Sequence, residues 1–223
     1  MNIRENIRQF KESLPDNVTL VAVSKTKSRE EILEAYREGH KIFGENRVQE
    51  LVAKAENLPS DIQWHMVGHL QTNKVKYIAP FVHLIQSADS LKLLNVINKE
   101  ALKADRIIDV LLQVHIATED TKFGFSEEEI NQLLSSEKYK ELQGIRVKGL
   151  MGMATFTRDE QVVRKEFRYL SQAFKRIKEI YFREDKEFCE LSMGMSGDYH
   201  MAVEEGSTMV RIGTIIFGER IKH

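Results

Sequence analysis

The sequence predicts a single closed (β/α)8 barrel of the TIM type, preceded by one extra helix at the N-terminus. Eight short apolar stretches recur along the chain, separated by segments with helical spacing or helix caps. No proline-rich or serine-rich linker interrupts this alternation, so one domain spanning residues 1–223 is expected. Eight strand–helix units in 223 residues favour a closed barrel, which usually has ~250 residues, over the alternative of an open doubly wound sheet.

The chain begins with an amphipathic helix. Ile3, Ile7, Phe10 and Leu14 follow one another at helical spacing and form one apolar face. We expect this helix to end before Pro15, because the residue that precedes a proline disfavours helical geometry.

The first strand–helix unit contains a lysine at the point where the strand ends. Residues 19–23 are mostly apolar, and Lys25 follows them after a single serine. Ser28 and Glu31 have the spacing of a capping box, so a helix is expected to begin there and to end at Gly39.

The same pattern continues to the end of the chain. Further strands are predicted at residues 41–44, 62–68, 83–87, 107–116, 145–154, 188–192 and 208–212. Helices are expected from Glu45, from Gln71, after Ser90, and after the capping pair Ser126 and Glu129. The sixth strand precedes a helix with an apolar stripe formed by Val163, Phe167, Leu170, Phe174, Ile177 and Tyr181.

The composition carries no bulk charge and no targeting signal. The 33 basic and 34 acidic residues leave a net charge of -1, which gives no field that would attract nucleic acid or an anionic membrane. No apolar window approaches the ~20 residues of a membrane span, and the N-terminus lacks an apolar signal core. The single cysteine, Cys189, excludes an internal disulfide, and its apolar flanks predict a small buried residue. We therefore expect a cytoplasmic protein in a reducing compartment.

Lys25 has two interpretations. Burial disfavours the ammonium form of a lysine, whose ordinary pKa is about 10.4, and a neutral amine is a nucleophile toward aldehydes. The functional interpretation is therefore a Schiff-base lysine, and the alternative is a solvated charge just past a strand. The stretch of residues 19–25 alone favours the solvated charge.

Small residues follow the last two predicted strands, where barrels of this class commonly bind phosphate. Residues 192–197 follow the seventh strand, and Gly213 and Thr214 follow the eighth. Backbone amides of small residues approach an anion closely, and the hydroxyl groups of Ser192, Ser196 and Thr214 would add donors. Because turns use the same residue types, either loop alone favours an ordinary turn, and only the pair favours an anion site.

Two further residues are candidates for ligand contact. Arg211 lies within an apolar strand, so its guanidinium needs an acceptor inside the barrel. That acceptor is either a carboxylate, Glu190 or Asp198, or a heteroatom of a bound cofactor. Asn46 lies at the end of the second strand, where it would face a ligand.

Metal and nucleic-acid sites are not predicted. His65 and His69 lie near a strand end, and no acidic third ligand stands at a recognised spacing. The lysines Lys74, Lys76, Lys122 and Lys148 are scattered without interleaved aromatic residues, which gives no groove for nucleic acid.

Six motifs together identify a family resemblance that covers nearly the whole chain. They are V-A-V-S-K ending at Lys25, F-G-E-N ending at Asn46, W-H-M-V-G-H-L-Q-T-N-K starting at Trp64, G-L-M-G-M starting at Gly149, L-S-M-G-M-S ending at Ser196, and V-R-I-G-T-I-I-F-G starting at Val210. With these motifs the chain resembles the pyridoxal phosphate homeostasis proteins. One departure is His200, where most relatives are expected to have an acidic residue.

The resemblance implies a barrel like the N-terminal domain of alanine racemase that binds pyridoxal 5'-phosphate (PLP). It implies that Lys25 holds the cofactor covalently as an aldimine, that Arg211 lies near the pyridine nitrogen and that Asn46 lies close to the ring. The cofactor-binding set that it implies is Lys25, Asn46, Ser192, Ser196, Arg211, Gly213 and Thr214, of which the two serines, Gly213 and Thr214 would surround the phosphate.

The resemblance does not decide between an enzyme and a carrier, so the decision depends on individual residues. An arginine at the pyridine nitrogen does not readily give up a proton, since its pKa exceeds about 12, so the ring is a weak electron sink. Alanine racemases take a tyrosine base from a second domain across a dimer, and no segment or tyrosine here matches it. We therefore expect a non-enzymatic monomer involved in PLP (vitamin B6) homeostasis, with apo PLP-dependent enzymes as recipients. The alternatives are a PLP-dependent amino-acid racemase and a barrel for another phosphorylated metabolite, in which Lys25 serves as a charge.

Overall fold

In a computed structural model the chain forms a closed barrel of eight parallel strands, described over residues 2–117 and 123–219. The strands are β1 (Thr19–Val23), β2 (Ile42–Glu45), β3 (Gln63–Met66), β4 (Leu84–Ala88), β5 (Ile108–Gln113), β6 (Ile145–Met151), β7 (Glu190–Met195) and β8 (Met209–Ile212). They pair in chain order, and β8 closes the barrel against β1, with Leu20 opposite Val210. The closed-barrel prediction is confirmed.

Helices cover the outside of the barrel. They are α1 (Ile3–Ser13), α2 (Arg29–Arg37), α3 (Val48–Ala55), α4 (Val75–Ile78), α5 (Leu91–Lys103), α6 (Glu127–Ser135), α7 (Glu137–Lys140), α8 (Glu160–Tyr181), α9 (Tyr199–Glu204) and α10 (Thr214–Phe217), with a 3-10 turn at Thr72–Lys74 before α4. Within the described residues, no helix has an apolar run long enough to cross a bilayer.

Local sequence signals fix several helix ends as expected. Both capping boxes form: Ser28 with Glu31 begins α2, and Ser126 with Glu129 begins α6. Helix α1 ends two residues before Pro15, as the proline rule requires.

Two local predictions are wrong. The second strand extends through Glu45, which pairs with Met66, so α3 begins at Val48 and not at Glu45. Cys189 is exposed and not buried, because its neighbour Phe188 takes the inward position and stacks on Phe182 at 4.2 Å between ring centroids.

Alternation along the strands divides the interior into two layers. Outward-facing side chains pack against the helices in the main hydrophobic core. Inward-facing side chains form a smaller cluster in the barrel, made of Val21, Leu84, Leu111, Met151 and Met209. Arg211 lies opposite Val21 in the β1–β8 register, so its side chain faces the barrel interior.

Candidate functional site

A cavity of about 330 Å³ lies at the carboxyl ends of the strands. Its lining contains these predicted site residues: Lys25, Asn46, Ser196, Arg211, Gly213 and Thr214. A larger cavity of about 430 Å³ lies at the amino ends of β1 to β3 and contains none of them. We take the first cavity as the site, because active sites in these barrels lie at the carboxyl ends of the strands.

The cavity is positively charged although the whole chain is nearly neutral. Lys25, Lys27 and Arg211 line it, and Asp198 is the carboxylate in the described lining. Three cations against one anion favour a ligand with negative charge.

A buried ion pair between Glu45 and Lys54 fixes the backbone before Lys25. The hydroxyl of Ser24 donates to Glu45 Oε1 at 2.6 Å. Lys54 Nζ donates to the same carboxylate oxygen at 2.7 Å and to the Ser24 carbonyl at 2.8 Å. Both side chains are largely buried, and burial raises the pKa of the Glu45 carboxyl while the Lys54 charge opposes that rise.

The backbone after Lys25 is also held. The Thr26 amide donates to Glu50 Oε2 at 2.9 Å, and Thr26 has a φ of 65°, a left-handed value that is unfavourable for a β-branched residue. Glu50 in turn lies 3.4 Å from Lys54 Nζ. The half-buried Lys25 thus projects from a short segment that is anchored on both sides.

Asn46 reaches the cavity because β2 and β3 approach each other closely at their ends. A Cβ atom on Gly68 would lie 2.4 Å from the Asn46 carbonyl oxygen and 2.7 Å from its Cα. Only glycine fits at position 68 without moving Asn46.

The two predicted anion loops meet in the cavity. The Gly213 amide donates to Ser196 Oγ at 3.3 Å, which joins the loop after β7 to the start of α10. Thr214 is exposed at the cavity mouth. Asp198 lies beside them, and burial raises the pKa of its carboxyl.

Lys27 turns toward the end of the last helix. Its Nζ donates to the Phe217 carbonyl at 2.7 Å and lies 3.3 Å from Glu31 Oε1. Its charge therefore lines the cavity while two acceptors outside the two predicted anion loops hold its amine.

Arg211 is held by neutral acceptors. Its guanidinium, in a residue only 5% exposed, donates to Ser192 Oγ at 2.6 Å and to the Gly152 carbonyl at 2.9 Å. The carboxylate alternative is not found, since Glu190 accepts from Thr208 and Asp198 acts on Arg211 only through its charge. Burial lowers the Arg211 pKa to about 10.

Ser192 occupies a different place from the one predicted. It is fully buried beneath Arg211, and its hydroxyl donates to Gln86 Oε1 at 2.7 Å. It does not line the cavity, so the expected direct contact with a phosphate is not supported by this geometry. Its role here is to hold Arg211.

The two histidines near the end of β3 do not converge. The buried His65 bonds through Nδ1 to Gln86 Nε2 at 2.9 Å, whereas the His69 ring lies 3.0 Å from Asp89 Oδ2. Across residues 2–117 and 123–219, no three histidine, cysteine or acidic side chains are grouped to hold a metal ion. His200 is exposed on α9, outside the cavity lining.

The sequence did not reveal all of the residues that line the cavity, nor the buried residues that hold the lining residues in place. Val67 and Met153 line the cavity from the ends of β3 and β6, a place that strand alternation would have indicated. The Glu45–Lys54 pair and Gln86 had no local signal, because barrel closure and helix packing create their contacts.

Comparison with known proteins gives concordant matches. Residues 1–221 match the family described as alanine racemase, N-terminal domain. The pyridoxal phosphate homeostasis protein of Aquifex aeolicus is 43% identical over 202 residues, which are 90% of this chain and 86% of that protein. The structure of PipY from Synechococcus elongatus with PLP bound matches with a TM-score of 0.84 and 33% identity, over 97% of this chain and 100% of PipY. An alanine racemase of Clostridium difficile matches with a TM-score of 0.77 and 16% identity, over 99% of this chain and 56% of the racemase chain, which shows a shared fold alone.

Proposed function

Because the chain belongs to the pyridoxal phosphate homeostasis proteins, within the alanine racemase N-terminal domain family, we propose that it binds PLP and serves PLP homeostasis. The observation that carries the proposal is one positively charged cavity that contains an amine, a guanidinium and two loops of small and hydroxyl-bearing residues. PLP, when bound, supplies an aldehyde that reacts with amines and a phosphate that needs hydrogen-bond donors.

The residues fit this cofactor. Lys25 follows the end of β1, which pairs directly with β8, so the amine and the Gly213–Thr214 loop lie just past the ends of neighbouring strands. Gly213, Thr214 and Ser196 would hold the phosphate through the amide and hydroxyl donors of their loops. The guanidinium of Arg211 would face the pyridine nitrogen, and Asn46 would lie beside the ring.

We propose that Lys25 holds the cofactor covalently. Its Nζ would form a C=N bond with the aldehyde carbon, and the aldehyde oxygen would leave as water. The anchored segment around Ser24 and Thr26 supports this role, since it limits where the lysine amine can lie.

We further propose that the protein is a carrier and not an enzyme. Its relatives are named as homeostasis proteins, and in the described lining the titratable groups are Lys25, Lys27, Asp198 and Arg211, without a tyrosine or histidine. Racemisation needs two opposed acid–base groups at the substrate carbon, and this set offers no matched pair beside a lysine engaged with the cofactor. A cytoplasmic location, a monomeric state and delivery to apo PLP-dependent enzymes are parts of the same proposal.

The test is a titration of the purified chain with PLP. We expect a visible absorption band, absent in Lys25→Ala and retained in Lys41→Ala, a control at an exposed lysine on the opposite end of the barrel. An intact protein without such a band would contradict covalent binding and favour a different phosphorylated ligand.

Exchange of α-protons for deuterium on a panel of amino acids then separates carrier from racemase. We expect no interconversion of enantiomers at ordinary enzyme rates. Interconversion abolished by Lys25→Ala would support the racemase alternative. For the carrier role, loaded protein should activate an apo-enzyme in the presence of a trap for free PLP, and activation blocked by the trap would contradict direct delivery.

A further inference from the structure

A line of hydrogen bonds runs through the barrel interior from Arg211 to His65. Arg211 donates to Ser192 Oγ at 2.6 Å, and Ser192 donates to Gln86 Oε1 at 2.7 Å. Gln86 Nε2 lies 2.9 Å from His65 Nδ1 and also donates to Met209 Sδ at 3.2 Å. Arg211, Ser192, Gln86 and His65 are all at least nine-tenths buried, so the line joins the floor of the cofactor cavity to the middle of the barrel.

The direction of each bond follows from the chemistry of the groups. A guanidinium has no acceptor, so Ser192 must accept from Arg211 and has one proton left to donate to Gln86. The Gln86 carbonyl is then occupied, and its amino group faces His65. His65 accepts through Nδ1 as a neutral imidazole, in keeping with burial that lowers its pKa to about 3.

The far end of the line is also fixed. The His65 ring stacks on His83 with 5.7 Å between ring centroids, and both line a cavity of about 200 Å³ toward the amino ends of the strands. Gln86 therefore cannot rotate without breaking bonds on two strands, β3 and β7. This arrangement leaves Arg211 one defined orientation.

We propose that Gln86 and His65 are positioning residues for Arg211, acting through Ser192. They hold the guanidinium so that the N–H groups not used by Ser192 and Gly152 face the cavity and its ligand. The inference rests on the proposed function, since the ligand that Arg211 would face is PLP. It adds two residues that lie outside the cofactor cavity to the determinants of PLP affinity.

The test compares PLP dissociation constants of Gln86→Met and of a matched control, Gln113→Met. Gln113 is a second buried glutamine inside the barrel, but its amide donates to the Phe123 carbonyl, and no contact among the described residues links it to Arg211. We expect Gln86→Met to weaken PLP binding about tenfold, because a hydrogen bond that supports a charged group is lost. Gln113→Met should stay within about twofold, and equal losses in the two variants would overturn the inference.

A conservative variant covers the case in which Gln86→Met does not fold. Gln86→Glu keeps an acceptor for Ser192 but loses the N–H that faces His65 Nδ1, so it should bind PLP more weakly than the wild type and more tightly than Ser192→Ala. If Gln86→Glu folds as the wild type does but binds as weakly as Ser192→Ala, the acceptor role of Gln86 is wrong.

A double-mutant cycle tests whether Gln86 acts through Ser192. Ser192→Ala with Gln86→Met should weaken binding no more than Ser192→Ala alone, because both changes cut the same line. Additive losses would contradict the relay.

A readout without PLP separates this inference from the proposed function. In ¹⁵N NMR spectra of the cofactor-free protein, His65 should be neutral with Nδ1 as an acceptor, and this signal should shift in Gln86→Met but not in Gln113→Met. If the wild type binds no PLP, the proposed function fails while the NMR result still reports on the line. If the wild type binds PLP but the His65 signal is the same in Gln86→Met as in the wild type, the inference fails.

Discussion

Replacing Lys54 by methionine would remove the cation that lies behind the Lys25 segment. Lys54 is only 12% exposed and donates to the fully buried Glu45 carboxylate and to the Ser24 carbonyl. Methionine keeps the apolar length of the side chain, so the change isolates the charge and its hydrogen bonds. Glu45 Oε2 already has no hydrogen-bond partner within the described residues, so the variant carboxylate would keep only the Ser24 hydroxyl.

The expected loss of unfolding free energy follows from removing one member of a buried ion pair while the other member stays buried. Removing a single partner of such a pair costs about 3 to 5 kcal/mol of unfolding free energy when the other stays charged. The pKa of Glu45 is raised in the folded protein, so between the ordinary and the raised pKa the native state holds a proton that the unfolded chain has lost. Stability therefore falls as pH rises through this range. Without the Lys54 charge the pKa of Glu45 is raised further, so stability continues to fall up to a higher pH. The loss should therefore be about 1 to 2 kcal/mol at pH 5, from the hydrogen bonds alone, and the full amount at pH 8.

Urea unfolding of the wild type and Lys54→Met at the two pH values measures this difference. The double variant Glu45→Gln with Lys54→Met is the control, and it should recover most of the loss and its pH dependence, since no buried charge remains. PLP binding should also weaken in Lys54→Met, because the backbone before Lys25 loses an anchor. A Lys54→Met protein as stable as the wild type at pH 8 would refute the reasoning.

Three further predictions concern other parts of the molecule. The pKa values of His40 and His65 are lowered by burial to about 4 and about 3, from 6.5, so the unfolded chain binds more protons below pH 6.5 and stability is lost as pH falls. At pH 5 the two should together cost about 4 kcal/mol relative to pH 7.5, with uptake of about two protons on unfolding; calorimetry that detects no uptake would contradict this. Gly68→Ala should displace Asn46 and weaken PLP binding at least tenfold with the barrel intact by circular dichroism, and unchanged affinity would remove Asn46 from the site. Thr26→Asn should raise the unfolding free energy by about 1 kcal/mol, because asparagine tolerates the left-handed φ of 65° better than threonine; a loss would show that the threonine side chain stabilises the segment.

The fold could be predicted because its signals are local. Apolar runs with turn signals marked the strands, and Ser28 and Ser126 marked helix starts through contacts three residues away. The proximity of the two loops after β7 and β8 was predictable, since a barrel brings the ends of these strands together wherever their side chains point.

The interior of the barrel could not be predicted in the same way. Ser192 has the residue type and position of a phosphate ligand, and only the strand register shows that its hydroxyl lies under Arg211. The link from Ser192 to Gln86 spans 106 positions in the chain, and the Lys54 contact with Ser24 spans 30. Such pairs depend on which face of each element meets the other, which a single sequence does not specify.

We propose that Lys25 holds PLP covalently, and reduction with borohydride tests this attachment most directly. The loaded protein would be reduced, digested and mapped by mass spectrometry, with Lys25→Ala treated in parallel. We predict one cofactor-derived mass increment on the peptide that contains Lys25, located on that residue by fragmentation, and none in the variant. An increment on Lys27 or another lysine, or an unlabelled Lys25 in a protein saturated with PLP, would contradict the account.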